Sequence, residues 1–312
     1  MRPRGSRESA RTDSQTAPRS ERGLGRVGTV TVGLIYDQLR PDERMIIDAA
    51  KRMDLDLKLY DTNEIALDVT DGRDGVELAD NFLQRCMSYF RSIHVTATLE
   101  ARGKLVVNSF KAASTCGNKL FASIQLSQAK IPTPRTFLAF TEEGSLHALD
   151  QLGYPAVLKP VVGSWGRLVA LIKDSVSARS IIEAREYMHP IQQVFYIQEM
   201  IKRPERDIRC FVIGDQAVAA IYRHATPGDW RTNTALGGIA ENLPLTPELE
   251  ELSLRAAQAM GGGAFGVDLM ETESGLVVHE VNHTTEFKNT IRVTGVDIPT
   301  LLLEYTRKEA KR

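Results

Sequence analysis

The chain has 312 residues, of which 42% are hydrophobic and 25% are charged, and its formal net charge at pH 7 is −1. This apolar fraction excludes disorder along the whole chain, and no uncharged stretch approaches the roughly 18 apolar residues that a membrane-spanning helix requires. Cys86, Cys116 and Cys210 are widely spaced and form no CxxC pair, which disfavours a disulfide framework and a cysteine-rich zinc site, so we expect a cytoplasmic protein.

The charge is distributed unevenly along the chain. Residues 1–26 contain seven arginines and three acids but almost no large apolar side chain. Such a segment cannot bury enough surface to offset the entropy of ordering it, so we predict a disordered tail over residues 1–28. The rest of the chain is net acidic, which disfavours a general nucleic-acid-binding protein.

The first half of the chain alternates between strand and helix patterns. Residues 29–36 are rich in β-branched side chains and predict a buried strand. A helical pattern begins at Pro41, with acids in its first turn as the helix dipole prefers. The further predicted elements are strands at residues 55–60 and 105–107 and a helix at residues 87–102. This alternation predicts a small parallel sheet.

The second half predicts mixed antiparallel structure with short strands and tight turns. The predicted strands are residues 156–159, 168–172, 196–198, 208–213 and 217–222, and the predicted helices are residues 118–129, 177–187 and 247–260. Gly214 and Asp215 are typical of a hairpin turn between the last two of these strands.

Two short apolar strands surround a polar turn within residues 266–289. If this hairpin is centred on Ser274, Asp268 faces Glu280, and Asn282 lies on the same face as Glu280 because side chains alternate along a strand. Opposed carboxylates destabilise a sheet unless a cation compensates them, and an oxygen-only set of ligands suits Mg²⁺. The alternative is two separately solvated acids at the rim of a hairpin.

His279 and His283 flank these oxygen-bearing residues. They lack the spacing of a metal-binding pair, so we interpret both as structural residues. No serine–histidine or cysteine–histidine arrangement for nucleophilic catalysis stands out in the sequence.

A glycine-containing loop, residues 162–168, lies between two predicted strands. Its glycines allow tight turns that bring main-chain N–H groups to an anion, and Ser164 and Arg167 add a hydroxyl donor and a charge. The loop matches neither the Walker A nor the GxGxxG pattern, and an ordinary hairpin is the alternative. Lys159, at the end of the preceding strand, is either a solvent-exposed residue or a ligand of nucleotide phosphates.

Residues 196–209 join an apolar strand to a charged loop. The main chain of residues 199–201 could contact an adenine, and the Glu199 carboxylate could accept hydrogen bonds from ribose hydroxyls. Downstream polar residues could line a phosphate-transfer site, because that chemistry requires positive charge around the transferred group. These residues are Arg209, Arg223, Arg231 and Asn233.

The ordered set of motifs resembles the ATP-grasp ligases. It consists of DERM at 42–45, QRCMSYFR at 84–91, CGNK at 116–119, Lys159, GSWGR at 163–167, IQEMI at 197–201, RDIR at 206–209, NTALGG at 233–238, GVDL at 266–269 and EVNHTTEFKN at 280–289. Within that superfamily, residues 30–305 are most similar to the LysX family of α-aminoadipate–LysW ligases, which is related to the RimK-type glutamate ligases.

The resemblance implies an α/β (α+β) ATP-grasp fold with three subdomains. These are a small N-terminal parallel α/β domain (residues 29–117), a central subdomain (118–196) and a C-terminal subdomain (197–312), with ATP held between the last two. The residues implied to bind ATP are Lys119, Lys159, Gly163, Ser164, Trp165, Gly166, Arg167, Leu168, Val169, Gln198, Glu199, Met200, Ile201, Asp207 and Ile208. Arg209, Arg223 and Asn233 are implied to act in catalysis. Asp268, Glu280 and Asn282 are implied to hold Mg²⁺, with two ions expected.

The resemblance also implies the reaction and its partners. ATP-grasp ligases of this kind activate a carboxylate as an acyl phosphate, which an amine then attacks. In the LysX family the carboxylate is the side chain of the C-terminal glutamate of LysW, a small acidic carrier protein, and the amine is the α-amino group of α-aminoadipate. Asn289 and Thr290 are implied to favour α-aminoadipate over glutamate. Lys202, Arg203 and Arg206 are candidates for docking the carrier, with a solvated loop as the alternative, and a dimer or tetramer is expected.

Three other functions stay open on the sequence. One is a glutamate–LysW ligase of the arginine or ornithine branch, or an enzyme that accepts both amino acids. Another is a RimK-type ligase that adds glutamate to a different acceptor. The third is a non-catalytic nucleotide-binding module, which the oxygen-bearing residues and arginines disfavour because binding alone does not require a metal held against the terminal phosphate.

Overall fold

Three β-sheets organise the part of the chain that the structure describes. The computed structural model describes residues 30–226, 228, 232 and 239–309. The predicted tail (residues 1–28) and the candidate site residues Arg231 and Asn233 lie outside these described residues.

The first sheet is parallel and has the strand order β2-β1-β3-β4. Its strands are β1 Val32–Tyr36, β2 Leu57–Asp61, β3 Asn81–Gln84 and β4 Leu105–Val107, and its helices are α1 Pro41–Arg52 and α2 Tyr89–Ala101. All five residues of β1 are buried, as a central strand of a parallel sheet requires. The predicted small N-terminal parallel sheet is therefore confirmed.

The second sheet is antiparallel, with the strand order β5-β8-β6-β7. The elements of this region are α3 Phe110–Cys116, α4 Lys119–Gln128, β5 Thr136–Ala139, α5 Glu142–Leu152, β6 Ala156–Lys159, β7 Ala170–Ile172, α6 Ser175–Glu186, a 3-10 turn at Pro190–Gln193 and β8 Phe195–Glu199. The strand predicted at residues 168–172 begins only at Ala170, because Leu168 has a φ of +57°, which lies outside the β region.

The third sheet is antiparallel and has the strand order β11-β10-β9-β12-β13. Its elements are β9 Arg206–Ile213, β10 Gln216–His224, β11 Ala240–Leu243, α7 Pro247–Ala259, β12 Ala264–Thr272 and β13 Gly275–Asn282, followed by α8 Lys288–Thr294 and α9 Ile298–Glu309. The predicted boundary between the central and C-terminal subdomains, between residues 196 and 197, falls inside β8. This strand pairs with β5 and β6 of the second sheet.

The two faces of the third sheet have different neighbours. Residues 208, 210 and 212 of β9 point to one face and share a hydrophobic core with α7. Phe211 and Ile213, on the opposite face, pack with β1 and α9. Because side chains alternate along a strand, Asp207 and Arg209 continue this second face. One end of the face is therefore apolar and covered, and the other end is polar.

Two expectations from composition can be compared with the structure. Within the described ranges, no helix is long and apolar enough to cross a membrane. Cys86, Cys116 and Cys210 are all free and buried. Burial raises the pKa of the Cys86 and Cys210 thiols to about 12, so both stay protonated at neutral pH.

Candidate functional site

A row of three charged residues crosses the polar end of the third sheet. Asp268 of β12 lies directly opposite Glu280 of β13, which confirms the predicted pairing. Arg209 of β9 lies opposite Asp268 on its other side. Asn282, two residues beyond Glu280, donates from Nδ2 to Asp268 Oδ2 at 3.2 Å. The strand register thus collects two carboxylates, an amide and a guanidinium on one patch.

A β-bulge at His279 shapes this patch. The hairpin is centred between residues 273 and 274, since Thr272 pairs with Gly275, and not on Ser274 as predicted. Asp268 nevertheless pairs with Glu280, because the next residue, Leu269, pairs with Val278 and His279 is an extra residue in β13. Val278 and Val281 both lie in the core under α7. The extra residue therefore lets His279 and Glu280 both project between them toward the site, in the way that bulges redirect side chains beside functional sites.

The two histidines of this segment differ in their surroundings. The side chain of His279 is 11% exposed, its Nε2 lies 4.0 Å from Asp207 Oδ2, and neither ring nitrogen has a hydrogen-bond partner among the described residues. Burial, reinforced by the charge of Lys159, lowers the pKa of His279 to about 4, so the ring is neutral at pH 7. His283 instead has its Nε2 3.3 Å from Ser92 Oγ, which fits the structural role we expected for it.

Two arginines surround Asp268. Arg209 donates from Nε and Nη2 to its two carboxylate oxygens, both at 2.7 Å. Arg223 Nη2 lies 3.1 Å from Asp268 Oδ2 and also forms a bidentate pair with Asp207, at 2.6 and 2.8 Å. Burial alone would raise the pKa of Asp268, but the two arginines outweigh it and hold the pKa well below its usual range. Thr232 donates its hydroxyl to Asp207 as well.

Two lysines connect the second sheet to this row. Lys119, the first residue of α4, donates from Nζ to Glu280 Oε1 and to the main-chain oxygen of Gly163, both at 2.9 Å. Lys159, the last residue of β6, donates to Gln198 Oε1 at 2.6 Å. Burial, opposed by Glu280 and reinforced by Lys119, lowers the pKa of Lys159 to about 8. The amino group of Lys159 is therefore held in place and titrates near physiological pH.

The last two residues of β8, the strand beside β6, also have defined contacts. Gln198 donates from Nε2 to the Tyr196 hydroxyl at 2.9 Å and to Thr136 Oγ1 at 3.0 Å, which fixes the orientation of its amide. Glu199 Oε1 accepts from the main-chain N–H of Arg135 at 2.6 Å. The assignment of Glu199 to a ribose stays a prediction, as do the adenine contacts expected of residues 199–201.

Residues 163–169 form a loop with an unusual backbone between β6 and β7. Trp165 and Leu168 both have a φ of +57°, a region that non-glycine residues seldom occupy. The guanidinium of Arg167 lies over the Trp165 ring, 5.2 Å from its centre. At the start of the loop, the main-chain oxygen of Gly163 accepts a hydrogen bond from Lys119, which also donates to Glu280 of the charged row.

The chemistry of this patch fits a phosphorylated ligand together with a hard cation. Four cationic side chains and three carboxylates line it: Lys119, Lys159, Arg209, Arg223, Asp207, Asp268 and Glu280. Among the described residues, no group of three or more histidine, cysteine, aspartate or glutamate side chains could hold a metal ion. A cation at Asp268 and Glu280 would therefore draw its further oxygens from the Asn282 amide and from phosphates, as Mg²⁺ commonly does.

The acids at the start of α1 lie in its first turn, as the helix dipole prefers, and Glu43 Oε2 accepts from the main-chain N–H of Arg40 just before the helix. Asp42 and Glu43 are also buried and make contacts far along the chain, which we did not predict from the sequence. Asp42 Oδ1 accepts from the main-chain N–H groups of residues 287 and 288, at 2.5 and 3.1 Å, and so caps α8 from another subdomain. Glu43 pairs with Arg40 and Arg85, at 2.7 and 3.0 Å. In the sequence, a role for these two acids beyond α1 was indicated by the position of DERM in the ordered set of motifs.

The remaining predicted residues lie around this patch rather than in it. Thr290 of α8 is 1% exposed, whereas Asn289 beside it is half-buried. Arg206 pairs with Glu271 at 2.8 and 3.1 Å, so that arginine is already neutralised within the chain. Lys202 is 94% exposed and has a weak contact with an exposed glutamate at 3.5 Å.

Comparisons with known proteins agree with this arrangement. Residues 116–306 match the RimK-like ATP-grasp domain, and residues 32–115 match the LysX preATP-grasp domain. The chain is 37% identical over 277 residues to the α-aminoadipate–LysW ligase LysX of Sulfolobus acidocaldarius, with 88% of this chain and 100% of that protein covered. It is 33% identical over 283 residues to the glutamate–LysW ligase ArgX of the same organism, with 90% and 99% covered.

A solved structure supports the same assignment. The RimK domain ATP-grasp protein of Sphaerobacter thermophilus superimposes with a TM-score of 0.73 at 26% sequence identity, covering 89% of this chain and 99% of that one. The three-sheet architecture is thus the ATP-grasp fold that the ordered motifs imply. The chain belongs to the RimK-like ATP-grasp family and is an ATP-dependent carboxylate–amine ligase.

Proposed function

We propose that this ligase joins α-aminoadipate to the carrier protein LysW in lysine biosynthesis. ATP phosphorylates the side-chain carboxylate of the carrier's C-terminal glutamate and leaves as ADP. The α-amino group of α-aminoadipate then attacks the acyl carbon, the carbon–oxygen bond to phosphate breaks, and an amide forms as the amine loses a proton. Relatives named LysX support this reaction, since they are 35–37% identical over about nine-tenths of the chain.

The observation that carries the chemistry is the row Arg209–Asp268–Glu280 with Lys119 beside it. Phosphoryl transfer needs charge neutralisation and positioning more than covalent chemistry by the protein. Asp268, Glu280 and Asn282 would hold Mg²⁺, with two ions expected, and the bound metal would shield the charge of the phosphate oxygens.

The other residues of the patch have roles that follow from their charge and position. Lys119 and Lys159 would bind phosphate oxygens, because both amino groups lie beside the row. Lys119 donates to Glu280, which would turn to the metal, and Lys159 donates to the neutral amide of Gln198. Arg209 and Arg223 would stabilise charge on the transferred phosphoryl group, together with Asn233, which lies outside the described residues. The loop at residues 163–169 would cover the phosphates and keep water from the acyl phosphate.

A second candidate is ligation of glutamate to the same carrier. The ArgX relative, at 33% identity over 90% of the chain, favours keeping this alternative. Asn289 and Thr290 on α8 would decide between the two amino acids, in favour of α-aminoadipate. A RimK-type ligation of glutamate to a different acceptor is the third candidate, supported by relatives named α-L-glutamate ligases at 34% identity.

The carrier would dock through positive charge near the active site. Lys202 is the exposed candidate of the three basic residues, whereas Arg203 donates to the main-chain oxygen of Arg206, and Arg206 pairs with Glu271 of the neighbouring strand β12. An acidic carrier would be attracted by such charge, and the attraction would weaken at high salt. The expected dimer or tetramer stays a prediction.

Mass spectrometry of the carrier tests the proposed function. The purified chain is incubated with Mg-ATP, LysW and α-aminoadipate, glutamate or no amino acid, and ADP release is measured in parallel. We expect the carrier to gain the mass of one aminoadipate residue, with ADP formed in equal amount. A glutamate adduct in its place would support the second candidate, and ADP release without an adduct would show that neither amino acid is the acyl acceptor. Glu280→Gln serves as the inactive control.

A further inference from the structure

Arg185 of α6 is a buried cation next to the active-site loop. Its residue surface is 4% exposed. Nη2 donates to the main-chain oxygen of Leu168, and Nη1 is buried without a hydrogen-bond partner in the described part of the chain. Burial lowers the pKa of this guanidinium, and no carboxylate among the described residues forms an ion pair with it.

Such a residue is unfavourable for stability. A buried charge costs free energy unless an opposite charge and complete hydrogen bonding compensate for it. Arg185 has one main-chain acceptor and one unpartnered nitrogen, so an apolar side chain of similar length would suit this position of α6 at least as well. The structure gives Arg185 one specific partner, and that partner lies at the rear end of the loop at residues 163–169.

The backbone at that partner is strained. Leu168 has a φ of +57°, and so does Trp165 three residues earlier, so the loop contains two of the four non-glycine residues with a positive φ in the described part of the chain. Strained backbone persists where its surroundings hold it, and it is concentrated at functional sites. The Leu168 side chain is 52% exposed, so packing of that side chain does not hold the conformation.

Two cationic side chains therefore hold the two ends of this loop by main-chain oxygens. Lys119 from α4 binds the oxygen of Gly163 at the front, and Arg185 from α6 binds the oxygen of Leu168 at the rear. Lys119 also belongs to the charged row, whereas Arg185 lies behind the loop and contacts none of the row's residues in the described structure. Each end of the loop is thus attached to a different helix.

We propose that Arg185 is a positioning residue that keeps the loop at residues 163–169 in the conformation that binds the phosphates of the nucleotide. It acts through Leu168 and does not touch the nucleotide. This inference rests on the proposed role of the loop as a cover over the phosphates. It assigns to α6 a function in nucleotide binding that none of the ordered motifs in the sequence indicates.

Trp165 provides a direct test, because the chain has two tryptophans and Trp230→Phe leaves Trp165 as the single reporter inside the loop. Full-length Trp230→Phe protein is titrated with ADP and Mg²⁺, following Trp165 fluorescence and, separately, the heat of binding. The same titration is run on Arg185→Met in that background. Arg179→Met is the matched control, because Arg179 lies on the same helix but is 62% exposed and pairs with Glu142 at the surface.

We expect Arg185→Met to bind ADP about tenfold more weakly and to change the Trp165 signal, while its melting temperature stays equal or rises because an unpaired buried charge is gone. Arg179→Met should bind like the parent. Leu168→Gly added to Arg185→Met should restore most of the affinity, because glycine adopts a positive φ without strain. Arg185→Lys, which keeps a cationic donor, should lose less affinity than Arg185→Met.

Two results would overturn the inference in distinguishable ways. If Arg185→Met folds and binds ADP as tightly as the parent, with an unchanged Trp165 signal, the residue has no positioning role although the loop assignment stands. If the parent binds ADP by calorimetry while Trp165 does not respond, the loop is not the phosphate cover, and that part of the proposed function fails together with the role of Arg185.

Discussion

Arg209 and Asp268 form a bidentate ion pair between neighbouring strands, with both N–O distances at 2.7 Å. Their side chains are 16% and 4% exposed, and Arg223 approaches the same carboxylate at 3.1 Å. Charge-assisted pairs of this geometry are among the strongest hydrogen bonds in proteins. Asp268 therefore has two roles. It neutralises Arg209 and Arg223, and it is a proposed ligand of Mg²⁺.

Asp268→Asn should lower stability as well as activity. Removing one partner of a buried ion pair leaves the other charge uncompensated, which costs about 3–5 kcal/mol. Urea denaturation would measure this loss. Glu271→Gln is the control, because it breaks a pair with Arg206 that is about one-third exposed, for which we expect about 0–1 kcal/mol. Equal denaturation midpoints for Asp268→Asn and the wild type would contradict the structural task of Asp268.

Glu280→Gln should abolish ligation and leave the fold intact. The glutamate side chain is 26% exposed, and Lys119, its single cationic partner among the residues that the structure describes, is 15% exposed, so the stability cost is smaller than at Asp268. Loss of a proposed metal ligand should lower turnover by about 10³-fold or more, comparable with removal of a transition-state-stabilising group. ADP release and carrier mass would measure turnover. Glu273→Gln, in the exposed turn of the same hairpin, should behave like the wild type, and near-normal turnover of Glu280→Gln would refute the metal assignment.

The apparent affinity for ATP should fall as the pH rises through about 8. The pKa of Lys159 is about 8 in the folded chain, where burial lowers it from 10.5, so the amino group loses its charge and its attraction for phosphate above that pH. In Lys159→Arg the profile should be flat over this range, because a guanidinium stays charged. Measuring kcat/KM for ATP from pH 6.5 to 9.5 would decide, and a wild-type profile that is flat to pH 9.5 would contradict the role of Lys159.

The same pKa has a consequence for stability. Between pH 8 and 10.5 the unfolded chain holds the Lys159 proton more tightly than the folded chain does, so this group favours folding progressively more as the pH rises across that window. Urea midpoints of the wild type and Lys159→Met, compared across the window, should converge toward its upper end. Parallel pH dependences in the two proteins would argue against a buried, titrating lysine.

Asp42→Ala should affect use of the amino acid more than use of ATP. Asp42 caps α8 by accepting from the N–H groups of residues 287 and 288, and α8 carries the proposed specificity residues Asn289 and Thr290. Loss of a cap costs about 0.5–2 kcal/mol, and we expect a several-fold higher KM for α-aminoadipate with little change in the KM for ATP. Ser109→Ala, which removes the cap of α3, is the control. A matching change in both KM values would contradict this division.

Deleting residues 1–26 should leave ligation unchanged. The match to the family begins at residue 32, and β1 begins at Val32, so the deletion leaves the matched residues and β1 in place. Carrier mass after a fixed reaction time would compare the two forms. A large loss of activity in the shortened chain would reveal a role of the arginine-rich segment.

Parts of the site were predictable because they are local in sequence. A hairpin of β12 and β13 follows from the short polar turn between two apolar runs, because such a turn sets the register of the strands beside it. That register, in which Thr272 pairs with Gly275, would place Asp268 opposite His279, and the bulge at His279 brings Glu280 opposite Asp268 instead. The bulge at His279 was not predictable, because a bulge depends on how the core below the strand accepts Val278 and Val281. The acids of α1 had a plausible local explanation, but Asp42 binds the main-chain N–H groups of residues 287 and 288, 245 and 246 positions away, and Glu43 pairs with Arg85, 42 positions away.

The sequence by itself determined many of the strands and helices, the hairpin that carries Asp268 and Glu280, and the family, since these depend on short-range patterns and on motif order. Only the tertiary structure decided that Arg209, 59 positions before Asp268, becomes its neighbour, and that Lys119, 161 positions before Glu280, reaches it. It also decided that Arg185 lies behind the active-site loop. Those contacts arise because three sheets must bury their apolar faces together, and that packing selects which polar ends meet.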